Sequence, residues 1–386
     1  MVHGSRTHQP SIINRRPLTI DLSDERWMRR ALALARRSKG WTSPNPCVGA
    51  VIVKGGRVVG EGFHPRAGEP HAEVFAFRQA GKQARGGTLY VTLEPCVHYG
   101  RTPPCVEVIL TSGIRRVVAA MVDPDVRVNG RGLTRLQAAG VEVTCGVLEE
   151  QARKLNEDFI KFKTQGLPFV TLKIAMTLDG KIATASGESQ WITGDKARAH
   201  AQRLRHEHDA ILVGINTVLA DDPQLTTRLR RGKDPQRIIL DSRARLPLTA
   251  RVLHVASSAS TWVAVTQDAP QSRIRKLEQS GAKVLPTESA DGRVNLRQLM
   301  KLIAAQNVMS VLIEGGGTVA WSALDAGIVD KVIFFIAPKI IGGANAVTAV
   351  EGAGRRLGEA WRLRDVRVKR MGEDVMVEGY VCRHCQ

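Results

Sequence analysis

Apolar positions in the first third of the chain switch between helical and strand periods. Trp27, Ala31, Leu34 and Ala35 fall on one helical face, and Ser23 stands where it can cap a helix over 23–38. Ser43-Pro44-Asn45-Pro46-Cys47 is too rich in proline for helix or central strand. The apolar runs at 48–53 and 57–60 flank Gly55-Gly56, which predicts a two-residue hairpin. A helix is expected from His71 to about residue 80, a strand over 88–93 and another helix over 104–111. Strands at 116–121 and 141–144 around a helix at 133–139 continue an alternation that predicts a layered α/β sheet.

The second half repeats the alternation. A connecting helix over 149–164 leads to Gly166-Leu167-Pro168, which marks a boundary. Residues 169–175 read as a strand, Thr193 as the cap of a helix to about residue 205, and 210–213 as a buried strand. A strand over 237–240 ends in Asp241-Ser242-Arg243. Another over 310–313 runs into Glu314-Gly315-Gly316-Gly317-Thr318 and then a helix to about Leu324. The expected organisation is a loose extension over 1–22, one domain over 23–166 and a second over 167–386.

Length changes this picture little, since 386 residues favour two cores over one. No apolar run approaches the ~18 residues of a membrane span, and the first residues lack the apolar segment of a secretory signal. Six cysteines in so long a chain make no disulfide framework, so a cytoplasmic protein is expected. The net charge of +19 invites a nucleic-acid reading. The charge is dispersed, however, through pairs such as Arg29-Arg30, Arg115-Arg116 and Arg355-Arg356. A positive field also serves an anionic small substrate and a phosphorylated cofactor, and nucleic acid is not the expected partner.

The chemistry gathers around His71-Ala72-Glu73, Pro95-Cys96 and Cys105. One imidazole and two thiols suit zinc, and three protein ligands leave a fourth tetrahedral position open, as catalysis needs. Glu73 is close enough in sequence to reach a water there and carry its proton. His-x-Glu followed by Pro-Cys is the zinc-deaminase signature. The usual two-residue spacer to the second cysteine is replaced by eight residues, Val97 to Pro104, carrying His98, Tyr99 and Arg101. The bland alternative is two unrelated buried cysteines and a surface histidine. In the second half, three glycines between strand and helix let the backbone approach a diphosphate, although tight turns use glycine anyway. Cys382 and Cys385 read as a frayed tail, His206-Glu207-His208 as solvated, and Cys47 as a small buried filler.

Pro44-Asn45-Pro46, His64, Gly68-Glu69-Pro70-His71-Ala72-Glu73 and Glu94-Pro95-Cys96 through Cys105 resemble the deaminase half of the bifunctional riboflavin-biosynthesis deaminase/reductase family. Leu178-Asp179-Gly180, the stretch from Ser186 to Ile192, Thr217 to Pro223 and Ile313-Glu314-Gly315-Gly316 resemble its reductase half. The resemblance implies a cytidine-deaminase-like α/β/α zinc domain followed by a dihydrofolate-reductase-like α/β domain. It implies one zinc per chain on His71, Cys96 and Cys105, Glu73 as proton shuttle, and deaminase substrate contacts from Asn45, His64, His98 and Arg101. It also implies NADPH contacts from Ala175, Trp191, Thr217, Asp221, Ser242 and the run Gly316, Gly317, Thr318, Val319, Ala320, Trp321 and Ser322. Reductase substrate contacts would come from Ser189, Arg205, Leu225, Arg228 and Glu314.

The expected activity is deamination of a diaminopyrimidinone ribosyl phosphate, then NADPH-dependent reduction of its ribose to ribityl, in a homo-oligomer (dimer or tetramer). A nucleic-acid adenosine or cytidine deaminase with an appended module is the alternative, and a non-catalytic zinc platform is another. For the cofactor, Ser242 and Arg243 are candidate donors to the 2′-phosphate of NADPH. Asp241 would favour NAD if it pointed inward, so it is expected to turn away or to orient Arg243.

Overall fold

The structure is a computed structural model that describes residues 22–99 and 103–382. The expectations for the N-terminal extension before residue 22, for Arg101 and for Cys385 lie outside the described residues. The chain divides into two compact units, one ending at Thr164 and one starting at Gln165.

In the first unit, helix α1 (Leu22–Arg36) precedes the hairpin of strands β1 (Gly49–Lys54) and β2 (Arg57–Phe63). Helix α2 (Ala72–Ala80), β3 (Thr88–Val91), α3 (Cys105–Ser112), β4 (Arg116–Ala119), α4 (Arg131–Ala138) and β5 (Glu142–Cys145) follow. Among the described residues the sheet order is β2-β1-β3-β4-β5, antiparallel across β2, β1 and β3 and parallel from β3 to β5. Met28, Ala31, Leu32 and Ala35 bury the inner face of α1. The backbones there nearly touch: a Cβ at Gly49 would stand 2.0 Å from the Ala31 carbonyl oxygen. Ser23 lies inside α1 and does not precede it, so it is not the cap.

The expected connecting helix is two helices, α5 (Glu149–Leu155) and α6 (Glu157–Gln165). The break falls at buried Asn156. Its Oδ1 accepts from the Cys47 N–H at 2.7 Å and its Nδ2 donates to the Cys47 carbonyl at 3.0 Å. A buried amide that satisfies both its groups on a neighbouring loop interrupts a helix that periodicity alone would continue.

The second unit begins with β6 (Phe169–Thr177), α7 (Asp195–Glu207), β7 (Ala210–Gly214), α8 (Ile215–Asp221) and β8 (Gln236–Leu240). It continues through β9 (Thr261–Thr266), α9 (Gln271–Gln279), β10 (Lys283–Thr287) and the small hairpin of β11 (Ser289–Ala290) and β12 (Arg293–Val294). Helix α10 (Leu296–Ala304), β13 (Ser310–Ile313), α11 (Gly317–Asp325), β14 (Lys331–Ala337), β15 (Leu363–Met371) and β16 (Asp374–Val381) complete it. The described residues form a sheet in the order β10-β9-β8-β7-β13-β6-β14-β16-β15, parallel from β10 to β14 and antiparallel over its last pairs.

Alternate residues of the central strands feed two apolar clusters. Ala210, Leu212 and Ile238 join one, while Ile211, Val213 and Ile239 join the other, so both sheet faces are covered. The edge strand β15 is exposed along most of its length and carries Arg364, Arg367, Lys369 and Arg370, charges that oppose edge-to-edge pairing. Helix α7 is capped by Gly194 and not by Thr193, whose carbonyl instead accepts from Arg198 Nη1 at 2.7 Å. No described helix is long and apolar enough to cross a membrane.

Candidate active sites

The first site lies where two helices start. His71 is the N-terminal cap of α2, Cys105 opens α3, and Cys96 follows β3. Their ligand atoms all lie within 4.8 Å of one another. His71 Nδ1 is 3.2 Å from Cys105 Sγ and 3.6 Å from Cys96 Sγ. Tetrahedral zinc, with Zn–S about 2.3 Å and Zn–N about 2.0–2.1 Å, needs ligand-to-ligand edges of about 3.5–3.8 Å, so the donor set fits. The Cys105 N–H also donates to Cys96 Sγ at 3.4 Å, and helix N-termini favour thiolate. A hydrogen bond with the Cys105 thiol, opposed by burial and aided by His71, pushes Cys96 down to about 4, and the same bond pushes Cys105 up.

Glu73 is buried on the first turn of α2, and desolvation raises its carboxyl above the usual range. His64 is fixed in one tautomer: its Nδ1 donates to the Pro70 carbonyl at 3.0 Å, leaving Nε2 to accept from Asn45 Nδ2 at 3.1 Å. Burial pushes His64 below its ordinary value, so the ring is neutral. A cavity of about 130 Å³ brings Asn45, His64, His71, Glu73, Cys96 and His98 together. His98 Nδ1 is buried there without a hydrogen-bond partner among the described residues.

Sequence reasoning missed Asp123, Arg127 and Lys163 on the same cavity wall. The signal was present in Asp123-Pro124-Asp125, just past the C-terminal end of parallel strand β4, where α/β sheets place their sites. Glu94, quoted above only as part of a motif, organises this wall. Its buried carboxylate accepts from the N–H groups of Asp123 (3.0 Å), Gly130 (2.8 Å), Gly132 (2.7 Å) and Leu133 (3.3 Å).

Two cavities mark the second unit. The larger, about 410 Å³, is lined by Thr217, Ser242, Gly316, Thr318, Val319 and Ser322 of the expected cofactor residues. Gly317 is packed too tightly to carry a side chain, because a Cβ would stand 2.4 Å from the Thr348 carbonyl oxygen. Gly316 beside it has open space, which leaves backbone accessible at the start of α11. That opening, with arginines lining the same cavity, fits a diphosphate cofactor. Ala320 is in the apolar core, and Trp321 stacks edge-on against Trp361 at 5.3 Å.

The smaller cavity, about 260 Å³, holds Trp191, Arg205, Arg228 and Glu314, with Lys173 and Arg198 as residues to which the sequence assigned no role. Arg205 closes its fork on Glu314 at 3.0 and 2.9 Å, and Lys173 Nζ lies 3.7 Å from the same carboxylate. Burial alone would raise Glu314, but these two cations lower it to about 2. Arg228 has no hydrogen bond or ion pair among the described residues. Arg198 lies 4.9 Å over the Trp191 ring, and Lys339 Nζ donates to the Trp191 carbonyl at 2.8 Å. Ala175 stands in β6. Ser189 donates to Asp221 at 3.3 Å, and Leu225 is buried in an apolar cluster.

Comparison with known proteins places both units. Residues 22–121 match the cytidine and deoxycytidylate deaminase zinc-binding region, and residues 168–377 match the RibD C-terminal domain. The riboflavin biosynthesis protein RibD of Aquifex aeolicus is 45% identical over 92% of this chain and 97% of its own. That of Escherichia coli is 43% identical over 92% of this chain and 98% of its own. The structure of Acinetobacter baumannii RibD superposes with a TM-score of 0.84 at 41% identity, covering 94% of this chain and 99% of that one. A Thermotoga maritima diaminohydroxyphosphoribosylaminopyrimidine deaminase/5-amino-6-(5-phosphoribosylamino)uracil reductase superposes at 0.83 with 39% identity, covering 93% of this chain and 99% of that one. The zinc deaminase region and the NADPH-dependent reductase region stand in the same chain, in the relatives' order. This chain belongs to the bifunctional deaminase/reductase family of riboflavin biosynthesis.

Proposed function

We propose that residues 23–166 deaminate 2,5-diamino-6-(5-phosphoribosylamino)pyrimidin-4(3H)-one and residues 167–386 reduce the resulting 5-amino-6-(5-phosphoribosylamino)uracil with NADPH. The observation that carries this reading is the His71, Cys96 and Cys105 triad with buried Glu73 beside it. Zinc held by the triad supplies Lewis acidity, which makes a water nucleophilic near neutral pH. Glu73 takes the water's proton on its carboxylate and returns it to the departing amine. His64, with both ring nitrogens taken up by the Pro70 carbonyl and Asn45, fixes the Asn45 amide for the pyrimidine, and unpartnered His98 Nδ1 offers a second contact. Arg101 is assigned to the substrate phosphate on the resemblance alone.

In the second unit, NADPH supplies the reducing equivalent. Thr217, Ser242, Gly316, Thr318, Val319 and Ser322 line the larger cavity that would hold it, while Ala175, Trp191, Asp221, Gly317, Ala320 and Trp321 are assigned to it on the resemblance alone. Arg228 takes the sugar phosphate, since its guanidinium has no protein partner among the described residues. Arg205 is neutralised by Glu314 and aims that carboxylate at the ribosyl hydroxyls, with Ser189 and Leu225 completing the contact surface. The small phosphorylated substrates and the free thiols of Cys47, Cys96, Cys105 and Cys145 support a cytoplasmic enzyme that needs no nucleic acid, and a dimer or tetramer is expected in sedimentation. Incubation with the diaminopyrimidinone phosphate and NADPH tests the whole reading: ammonia should appear first and NADPH absorbance fall afterwards. Turnover of tRNA or single-stranded DNA, with none of the pyrimidine phosphate, would overturn it.

A further inference from the structure

Two arginines line the larger reductase cavity with side chains that make no hydrogen bond or ion pair among the described residues. Arg243 sits in the turn after β8, and Arg293 sits on β12, fifty residues later in sequence. Both are exposed. The third arginine of the wall is engaged: Arg245 Nη2 donates to Asn216 Oδ1 at 3.1 Å, and its Nε lies 3.9 Å from buried Asp241.

Asp241 itself turns away from the cavity. It is fully buried, and its Oδ2 accepts from the Leu246 N–H at 2.7 Å. It therefore faces Arg245, not Arg243 as one of the two sequence expectations had it. The carboxylate that would hold a bare ribose hydroxyl is thus withdrawn.

The β11–β12 hairpin is built to hold Arg293 still. Asp291 and Gly292 carry φ of 50° and 72°, the left-handed pair of a type I′ turn. Val294 is buried in the main apolar cluster. Its N–H donates to Ser242 Oγ at 3.2 Å, and the Asn295 N–H donates to Thr287 Oγ1 at 3.2 Å. Ser242 thus accepts from the hairpin and keeps its own hydroxyl proton to give. One hydroxyl joins the strand-end turn to the hairpin, and an unpaired guanidinium stands on each side.

We propose that Arg293 and Arg243 form a two-armed clamp for the 2′-phosphate of NADPH, with the β11–β12 hairpin delivering the second arm. This rests on the reading of the cavity as the cofactor site. A dianion between two otherwise unpaired guanidinium groups receives charge-assisted bonds from both, and NADH offers nothing for them to hold.

The test is calorimetric titration of the full chain with adenosine 2′,5′-bisphosphate and with 5′-AMP. The unmodified protein should prefer the bisphosphate. Arg293→Ala should weaken the bisphosphate about tenfold or more and leave 5′-AMP nearly unchanged. Arg243→Ala/Arg293→Ala should bring the two probes close to parity, and Arg293→Lys should recover part of the loss. Thermal midpoints, with Arg293→Gln as a second variant, show that the fold is retained. Equal losses for both probes, or an undiminished bisphosphate affinity in Arg293→Ala, would overturn the clamp. If the unmodified protein prefers the bisphosphate and Arg293→Ala is indifferent, the clamp alone fails. If it binds neither probe nor NADPH, the cofactor reading of the cavity falls with it.

Discussion

The deaminase unit draws its candidate zinc ligands and Glu73 from residues 71–105, whereas the reductase unit gathers its smaller cavity from residues as far apart as Lys173 and Phe335. The first site is a short-range device. Two helix starts and one strand end bring an imidazole and two thiols together, so a change of any one of them acts on the metal directly. The second is a long-range device, in which β6, α7, β14 and the turn after β13 each contribute one side chain or a few to the wall. One carboxylate, Glu314, answers both Arg205 and Lys173 there. A local site should therefore fail through chemistry first, and a convergent site through stability as well.

The sharpest break of that comparison is in the metal site. Cys96→Ser should strip zinc and abolish deamination. Glu73→Gln should keep zinc and lose about 10²–10⁴-fold in deamination rate, while the reductase turns over its own substrate normally. Metal analysis beside both assays decides it, and a zinc-free Glu73→Gln protein would make Glu73 a ligand.

The next effect in size tests whether the local site also hides a structural keystone. Glu94→Ala would leave four buried N–H groups without their acceptor. The expected cost is on the order of 5 kcal/mol in urea unfolding of the first unit, together with weakened zinc retention. A loss under 1 kcal/mol would mean that the loop before α4 holds itself.

For the convergent site, Glu314→Gln should cost about 3–5 kcal/mol by leaving Arg205 and Lys173 buried without a counter-charge. The pH sign follows from the lowered Glu314 value of about 2. A carboxyl held below its unfolded value contributes stability that is complete above about 4.3 and is lost as pH falls through about 2. Unfolding curves over that acid range should show the loss in the parent and not in the variant. A variant as stable as the parent would show that the triad is not a stabilising network.

The smallest effect runs the other way. Burial raises Asp123 to about 7 and the charges of Asp125 and Glu94 add to it, against an opposing hydrogen bond from the Asp125 N–H. A carboxyl raised in the folded state takes up a proton on folding, so it weakens the fold as pH rises from about 4 to about 7. Asp123→Asn should flatten that part of the stability profile of the zinc-loaded protein. An unchanged slope would place the titration elsewhere.

The sequence by itself pointed to the proposed chemistry of the first unit and to the order of its elements. His71, Glu73, Cys96 and Cys105 are legible because metal ligation needs particular atom types, and these sit at helix starts and strand ends that local periodicity predicts. The break at Asn156 was not legible, because it depends on paired bonds to Cys47, more than a hundred residues away. Thr193 has the chemistry of a cap but yields that place to Gly194, whose N–H donates to Asp374 Oδ2 at 2.8 Å. The strands β9, β10 and β14 to β16 carry no chemical motif, and their pairing is fixed only by neighbours distant in the chain.

Only the tertiary structure decided which arginines are spent and which are free. Arg205 and Arg228 look alike in sequence, yet one is closed on Glu314 and the other has no such partner. Arg293 gave no signal at all, since a lone arginine beside an Asp-Gly turn is most often solvated. A motif is read from atom types within a few residues. The availability of a charge is set by what folds against it, and that is a property of the sheet as a whole.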